Sequence, residues 1–328
     1  MEKELAGGKG NPFLGSLMER GLSEAIRDRV WRQVGDETAF NRAGRSLLTV
    51  AERKLLYWLG WRWYAGEGAL IDLGSFLGSS TVALAAGLER GEKAGTIHAY
   101  DLFEVSRDKE TQRFLGKEEG DSFLEDFKET TRGHEERIRV YPGDIRKHPW
   151  KGGAVSLLFV DLAKSWEMNQ YIIREFYKHL VPGESLLIHQ DFGNGWNPWL
   201  PVSMAYLNDY FEILADETPS RIYRCRKAIP EAVLSINYKR DLDKATRLSL
   251  MEESLAGATG PMRKKLHAAM AILLFIEEGK EAGMAYVDAW LPRLDLQDYE
   301  RSLLERVRET IDIWNQGESY EREMATKF

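Results

Sequence analysis

Two features of this sequence have residue types and spacings that could hold a charged ligand: a glycine-containing turn and a series of acids. The turn is Gly74-Ser75-Phe76-Leu77-Gly78, between the apolar runs Ala69–Leu73 and Val82–Leu88. Glycine lets the backbone lie close to a ligand, and the first N–H groups of the following helix can bind a carboxylate. The acids that follow predicted strands are Asp101, Asp144, Asp161 and Asp191.

The positions of these acids suggest individual contacts. Asp101 follows the second predicted strand, where a carboxylate can accept hydrogen bonds from both hydroxyls of a ribose. Asp144 follows the third strand, where an acid can accept from the exocyclic amine of adenine. Each acid alone could equally be a helix N-cap. An acid after four of the five strands, together with the glycine turn, favours a binding site at the carboxyl edge of a sheet.

The spacing within the turn argues against a dinucleotide ligand. A dinucleotide fingerprint requires G-x-G-x-x-G, with the middle glycine against the pyrophosphate. Here the spacing is Gly74-x-x-x-Gly78, and Phe76 stands where that middle glycine would be. Phe76 would obstruct a pyrophosphate but matters less for a ligand that presents a carboxylate, an amine and a sulfonium. The alternative is an ordinary strand–helix turn without a ligand.

Apolar runs alternate with helical patterns, which predicts an α/β fold. We expect a doubly wound, mostly parallel, seven-stranded Rossmann-like sheet with an antiparallel C-terminal hairpin, N-terminal helices and a helical C-terminal extension. Residues of the capping box Thr49-Val50-Ala51-Glu52 predict a helix just before the first strand. The predicted strands are Ala69–Leu73, Thr96–Tyr100, Ile138–Tyr141, Val155–Val160, Ser185–His189, Phe211–Ala215 and Arg221–Arg226.

We divide the chain into three predicted segments. Residues 1–60 form an N-terminal helical segment, 61–229 the sheet domain, and 230–328 a helical extension with breaks near Gly257–Pro261 and Pro292–Asp295. The apolar stripes of the extension need a partner face, which either the sheet domain or a second subunit in a homodimer would supply.

Composition excludes several classes of function. The 328 residues carry a formal charge of -7, so the chain is a poor candidate for a nucleic-acid binder. A single cysteine excludes an intrachain disulfide and a cysteine-rich zinc site. No apolar run approaches the roughly 20 residues that cross a bilayer, and the N-terminus lacks a signal-peptide core. We therefore expect a cytoplasmic protein without membrane contact.

Residues 50–226 resemble class I S-adenosylmethionine-dependent methyltransferases. The resemblance rests on the turn from Leu73 to Thr81, on Asp101 and Asp144, and on Val181-Pro182-Gly183 before the fifth strand. The turn is most similar to the small-molecule O-methyltransferase branch, which includes macrocin-type and catechol-type enzymes. The resemblance implies that S-adenosylmethionine is the cofactor, that the turn holds its methionine end, and that Asp101 and Asp144 hold its ribose and adenine. The cofactor-binding candidates are Asp72, Gly74, Ser75, Gly78, Ser80, Asp101, Asp144 and Asp161.

The motif Asp161-x-x-Lys164 resembles that of cation-dependent members of this branch. There the acid binds a divalent cation such as Mg²⁺, and the lysine removes a proton from the acceptor hydroxyl. The resemblance implies metal ligation by Asp161, Asp191 and Asn194, although the family has an adjacent Asp-Asn pair where this chain has Asp191-Phe192. His189 is the other candidate base.

The candidate walls of an acceptor pocket come from aromatic residues near these acids. Trp166, Trp196 and Trp199 could line it, with packing as the alternative for at least one of them. The segment 191–201 combines glycines with large aromatics, which suits a lid over a ligand.

The leading hypothesis is O-methylation of a small hydroxylated acceptor, a sugar or a phenol. One alternative is an NAD(P)-dependent oxidoreductase, for which Tyr223-x-x-x-Lys227 has a suitable spacing but falls on a predicted strand. The other is a non-catalytic binding or assembly protein that keeps a methyltransferase fold, which the long helical extension suggests.

Overall fold

The computed structural model describes residues 21–35, 40, 45–293, 298–314, 317, 320 and 321. Their central feature is a seven-stranded sheet with the order β3-β2-β1-β4-β5-β7-β6, in which β1 to β5 are parallel and β7 is antiparallel to both of its neighbours. The strands are β1 (Ala69–Leu73), β2 (Ile97–Asp101), β3 (Ile138–Pro142), β4 (Val155–Val160), β5 (Leu186–His189), β6 (Phe211–Glu217) and β7 (Ser220–Cys225).

Helices precede, separate and follow these strands. The helices before β6 are α1 (Leu22–Arg27), α2 (Val50–Trp58), α3 (Ser79–Arg90), α4 (Lys109–Leu115), α5 (Leu124–Thr130), α6 (Trp166–Phe176) and α7 (Trp199–Tyr206). Those after β7 are α8 (Glu231–Leu234), α9 (Lys244–Ala256), α10 (Gly260–Glu278), α11 (Lys280–Trp290) and α12 (Asp298–Ile313). Short 3-10 turns lie at Val30–Gln33, Glu135–Arg137, Ile145–Lys147, Tyr177–His179 and Asn208–Tyr210.

The predicted fold class is confirmed. Each predicted strand is present within two residues of its predicted ends, and the hairpin of β6 and β7 closes one side of the sheet. The predicted capping box also forms: Thr49 Oγ1 accepts from the Glu52 N–H, and Glu52 accepts from the Thr49 N–H. The first described helix, α1, is short, because Arg29 adopts a left-handed conformation and separates α1 from a 3-10 turn. Residues 1–20 of that segment lie outside the described part of the chain.

One face of the sheet packs against the helices that precede β1 and against α3. The contact between α3 and the π-helical turn Leu59–Trp63 after α2 is very close, since Gly60 and Gly87 face each other. A Cβ at Gly87 would lie 2.2 Å from the Tyr57 carbonyl oxygen and 3.1 Å from Gly60 Cα. This crossing fixes the position of α3, whose first turn faces the carboxyl edge of the sheet.

The helical extension packs against the other face of the sheet domain. Apolar side chains of α9 and α10 share one core with β1, β4, β5, α6 and α7, among them Met251, Leu266 and Leu273. α12 in turn packs on α10 and α11 through Leu304 and Val307. The sheet domain therefore supplies the partner face that the sequence required. The predicted break at Gly257–Pro261 is present, and part of the one at Pro292–Asp295 lies outside the described residues.

No helix in the described ranges is long and apolar enough to cross a membrane.

The crossing at Gly87 generates a stability prediction. We expect Gly87→Ala to lower the free energy of unfolding by about 1–3 kcal/mol, because the added methyl must displace the backbone of the Leu59–Trp63 turn. Gly153→Ala is the matched control, since a Cβ there meets nothing within 4 Å. Urea unfolding followed by circular dichroism measures both. Equal stability of the two variants would contradict the close crossing.

Candidate active site

The bend after β1 requires glycine at both ends. Gly74 has φ +91°, and a Cβ there would lie 2.7 Å from the carbonyl oxygen of Asp161 at the end of β4. Gly78 has φ +87° and precedes α3, with a Cβ position 2.9 Å from Thr131 Cγ2. A side chain at either position would be strained and would clash. The bend is therefore held tightly against β4 on one side and the end of α5 on the other.

Asp72 lies beneath this bend rather than at the surface. Its Oδ2 accepts hydrogen bonds from Ser80 Oγ at 2.8 Å and Thr81 Oγ1 at 2.6 Å, and the side chain is fully buried. Burial raises the pKa of Asp72 to about 6, although the two hydroxyl donors oppose this shift. Asp72 therefore positions the first turn of α3, and it does so from behind the loop.

Asp101 connects the bend to the loop after β2. Its Oδ2 accepts from the Phe76 N–H and its Oδ1 from the Phe103 N–H, both at 2.8 Å. Phe76 and Phe103 both have positive φ, at 46° and 52°, so the carboxylate holds two strained residues in place. A carboxylate offers about four acceptor positions, which leaves two for a ligand. Burial raises the pKa of Asp101, while these N–H groups and the charge of Lys164 oppose the rise.

A cleft opens above the bend, which we call the first cleft. It encloses about 970 Å³, including its solvent-open mouth. Gly74 and Ser75 form its floor, with Asp101 on one side and Asp161 and Lys164 on the other. The Ser75 hydroxyl is buried, and the described residues provide no hydrogen-bond partner for it. The floor therefore presents polar groups to a ligand.

The segment 45–48, just before α2, covers one side of the first cleft. Ser46 Oγ donates to Ser79 Oγ at 2.7 Å, which joins this segment to the start of α3. Leu47, with 62% of its surface exposed, lies at the cleft. Sequence reasoning missed these residues. The adjacent capping box at Thr49 was the available signal, since it places the chain entering α2 close to the sheet edge.

Lys164 lies at the centre of a partly buried charge cluster. Its Nζ lies 2.7 Å from Asp161 Oδ1 and also donates to Asp191 Oδ2. Burial disfavours the charged form, but the charges of Asp161 and Asp191 outweigh it and raise the pKa of Lys164. The role that the resemblance implies for Lys164, removal of a proton from the acceptor hydroxyl, does not fit this geometry, because a protonated ammonium cannot accept a proton. Burial also raises the pKa of Asp161, to about 7, which the Lys164 charge opposes and the Asp191 charge reinforces.

The residues predicted to bind a divalent cation do not fit one. Asp161 and Asp191 direct oxygens at the Lys164 ammonium, and Asn194 Nδ2 donates to Asp191 Oδ1 at 3.2 Å. A divalent ion here would meet a cation and an amide N–H where it needs oxygen ligands. Within the described ranges, no group of three or more His, Cys, Asp and Glu side chains could hold a metal. The expectation of a Mg²⁺ site is therefore not supported.

His189, the other candidate base, is part of the core. It is fully buried, its Nε2 lies 2.6 Å from the Tyr177 hydroxyl, and it lines neither the first cleft nor the second described below. Burial lowers the pKa of His189 to about 3. This position gives the imidazole no access to a substrate, and we assign it no catalytic role.

Asp144 lies at the edge of the site. It accepts from the backbone N–H and the guanidinium of Arg146 and does not line the first cleft. The predicted contact of Asp144 with adenine would require Arg146 to share the Asp144 carboxylate with the ligand or to release it. Tyr223 lies in β7 and Lys227 beyond its end, so this pair lacks the helical spacing that a reductase would need.

A second, larger cleft meets the first at Lys164, which lines both. It encloses about 1980 Å³, including open solvent, between the loop after β5 and α12. Trp196 lines it, whereas Trp166 and Trp199 are core residues, the latter donating to the Ala163 carbonyl oxygen at 2.6 Å. One of the three tryptophans thus has the predicted position.

The segment 191–201 is not free to act as a lid. A Cβ at Gly195 would lie 2.6 Å from Ala268 Cβ, and one at Gly193 would lie 2.9 Å from Met262 Sδ. Both neighbours belong to α10, which packs directly over the segment. The predicted lid is therefore a fixed wall between the sheet and the helical extension.

The environment of Asp72 predicts a pH-dependent stability. Its pKa rises from 3.8 to about 6 on folding, so the folded chain retains a proton that the unfolded chain releases. The contribution of Asp72 to stability is therefore present below about pH 4 and is lost as the pH rises through about 6. Asp72→Asn, which has no proton to release, should gain stability relative to the wild type between about pH 4.5 and 7.5.

Urea unfolding at both pH values measures this difference, with the exposed Asp209→Asn as control. A difference between Asp72→Asn and the wild type that stays constant with pH would contradict the buried position of this carboxylate.

The family model described as a methyltransferase domain matches residues 71–190. A search of curated proteins found no match. Solved structures with similarity include the O-methyltransferase NovP, at 13% identity over 63% of this chain and 98% of that one, with a TM-score of 0.46. Another is the Podospora anserina methyltransferase PaMTH1 with SAH bound, at 14% identity over 69% and 100%, with a TM-score of 0.39.

The family match runs from within β1 to the residue after β5 and covers the lining of the first cleft except the segment 45–48. It favours the methyltransferase over the oxidoreductase alternative. The strand order, the glycine bend and this match together show that residues 71–190 form a region similar to a methyltransferase domain.

Proposed function

We propose that this protein transfers a methyl group from S-adenosylmethionine to a hydroxyl oxygen of a small acceptor. One observation carries the proposal: two clefts of different character meet at Lys164, which lines both. The first lies over the glycine bend and suits a nucleoside cofactor. The second is larger and lies between the sheet and the helical extension. Methyl transfer requires such a junction, because donor and acceptor must be aligned within contact distance.

The first cleft offers each part of the cofactor a matching group. The first N–H groups of α3 have no partners within the helix and carry the positive end of its dipole, which favours the carboxylate of the methionine moiety. The buried Ser75 hydroxyl can bind the same moiety. Asp101 retains two acceptor positions for the ribose hydroxyls. Leu102, 42% exposed beside Asp101, offers an apolar surface to adenine.

The second cleft offers the acceptor an aromatic wall. Trp196, Trp314 and Tyr320 line it, the last two from the end of the helical extension. Aromatic side chains stack on planar rings and on the apolar faces of sugars. The lining also includes charged groups of both signs, such as Lys109 and Glu309. These features suit a ring-bearing acceptor with polar substituents, a phenol or a sugar.

The chemistry of transfer needs one proton acceptor. The acceptor oxygen forms a bond to the methyl carbon as the bond from carbon to the sulfonium sulfur breaks, which leaves S-adenosylhomocysteine. The hydroxyl proton passes to the carboxylate of Asp161, which lines the first cleft. Burial and the nearby Asp191 charge raise the pKa of this carboxylate, which makes it a stronger base than an ordinary aspartate. Lys164, held as an ammonium, positions this carboxylate.

Cofactor binding tests the proposal. We expect the wild type to bind S-adenosylhomocysteine, and Asp101→Ala to weaken binding about 100-fold or more, because the ribose loses its acceptor and the bend loses its support. Asp144→Ala is the comparison and should weaken binding about tenfold or less, because Asp144 does not line the cleft. Isothermal titration calorimetry measures all three. No heat from the folded wild type at millimolar ligand would refute the proposed function.

The acceptor class has its own test. Transfer of a labelled methyl group to a panel of phenols and sugars should yield a product with at least one of them. With that acceptor, Trp196→Ala should raise KM about tenfold and leave the S-adenosylhomocysteine Kd unchanged, because Trp196 lines the second cleft alone. Products bearing the label on nitrogen or carbon would contradict O-methylation.

A further inference from the structure

We propose that the ammonium of Lys164 is the resident cation of this site, in the position where a divalent ion would bridge Asp161 and Asp191. The inference rests on the proposed function, since it concerns the junction of the donor and acceptor clefts. It means that methyl transfer in this protein proceeds without a bound metal ion and that the chain itself provides the positive charge.

The geometry of the cluster supports a built-in cation. Lys164 Nζ contacts one oxygen of each carboxylate, 2.7 Å from Asp161 Oδ1 and against Asp191 Oδ2. The two acids come from the ends of adjacent strands, β4 and β5, so only an atom between those strands can contact both. The Asn194 amide donates its N–H to the other oxygen of Asp191. Nitrogen donors thus occupy both oxygens of Asp191.

The local charge balance also favours one ammonium. Asp161 and Asp191 are 23% and 12% exposed, and Glu52, 1% exposed, is near enough to act on both. Buried carboxylates require compensating positive charge. Lys164 supplies it without leaving the chain. A divalent ion between the same oxygens would have to displace this ammonium or lie against it, at the cost of strong repulsion.

The ammonium also has a direct use in recognition. It carries three N–H donors, and the described residues supply two partners for them. Lys164 lines both clefts, so the remaining donor can reach an acceptor oxygen placed at their junction. A hydrogen bond from a cation stabilises the negative charge that develops as the hydroxyl is deprotonated. A bound metal ion would stabilise the negative charge on the acceptor oxygen in the same way.

Mn²⁺ binding in the presence of S-adenosylhomocysteine tests the proposal, with electron paramagnetic resonance to count bound ions. The wild type should bind no stoichiometric Mn²⁺ at about 1 mM. Lys164→Ala should bind one ion at least tenfold more tightly than the wild type, because two carboxylates then face each other without a counterion. The double variant Lys164→Ala/Asp191→Asn should lose that site.

Two further variants keep the test decisive. Lys164→Arg retains the charge and should stay free of Mn²⁺. Lys164→Gln removes the charge but keeps hydrogen-bond donors, and Mn²⁺ should raise its melting temperature even if Lys164→Ala is too unstable to purify. One Mn²⁺ bound to the wild type and lost in Asp161→Asn would overturn the proposal. So would neutral variants that fold but gain no site. Absence of S-adenosylhomocysteine binding by the wild type would instead count against the proposed function.

Discussion

The hydrogen bonds from the N–H groups of Phe76 and Phe103 to the Asp101 carboxylate are the interaction on which the first cleft depends. They join the bend after β1 to the loop after β2, and both donors have positive φ. Such strain persists only where surrounding contacts enforce it. One carboxylate therefore shapes the cleft floor and still has acceptor positions for a ligand, so the loss of Asp101 would damage structure and binding together.

Three acids lie at the same edge of the sheet, one buried and two partly buried, and each acid depends on different neighbours. Asp72 relies on two hydroxyls of α3, Asp101 on two backbone N–H groups, and Asp161 on the Lys164 ammonium. Neutral donors leave Asp101 with acceptor positions for a ligand, whereas the Lys164 ammonium contacts one oxygen of Asp161 and leaves the other for a proton. In the proposed function, these differences assign positioning to Asp72, cofactor binding to Asp101 and proton transfer to Asp161.

The sequence predicted the strands, the bend and the place of Asp101 at the end of β2, because each depends on local pattern: strand length, glycine spacing and an acid at a strand end. It could not predict the environment of His189, because β5 is buried on both faces and has no alternation that shows which side a residue faces.

The protonation state of Lys164 depends on Asp191, 27 residues later in the chain. The position of Ser46 beside the first cleft likewise depends on its hydrogen bond to Ser79. Contacts of this range have no local signature, so the predicted metal site and lysine base could only be assessed in the folded chain. The homodimer, the cytoplasmic location and the exact domain limits stay predictions.

The helical extension explains why the site has two clefts. A doubly wound sheet alone places a ligand over its carboxyl edge and leaves the acceptor side open to solvent. Here α10 packs on the loop after β5 so closely that Gly193 and Gly195 have no room for a Cβ, which turns that loop into a rigid wall. α12 then faces this wall across the second cleft. The extension thus packs into the core of the sheet domain through α9 and α10, and its α12 lines the cleft in which the proposed acceptor would bind. Changes on the cleft side of α12 can alter acceptor choice without disturbing the bend, because no residue of α12 lines the first cleft.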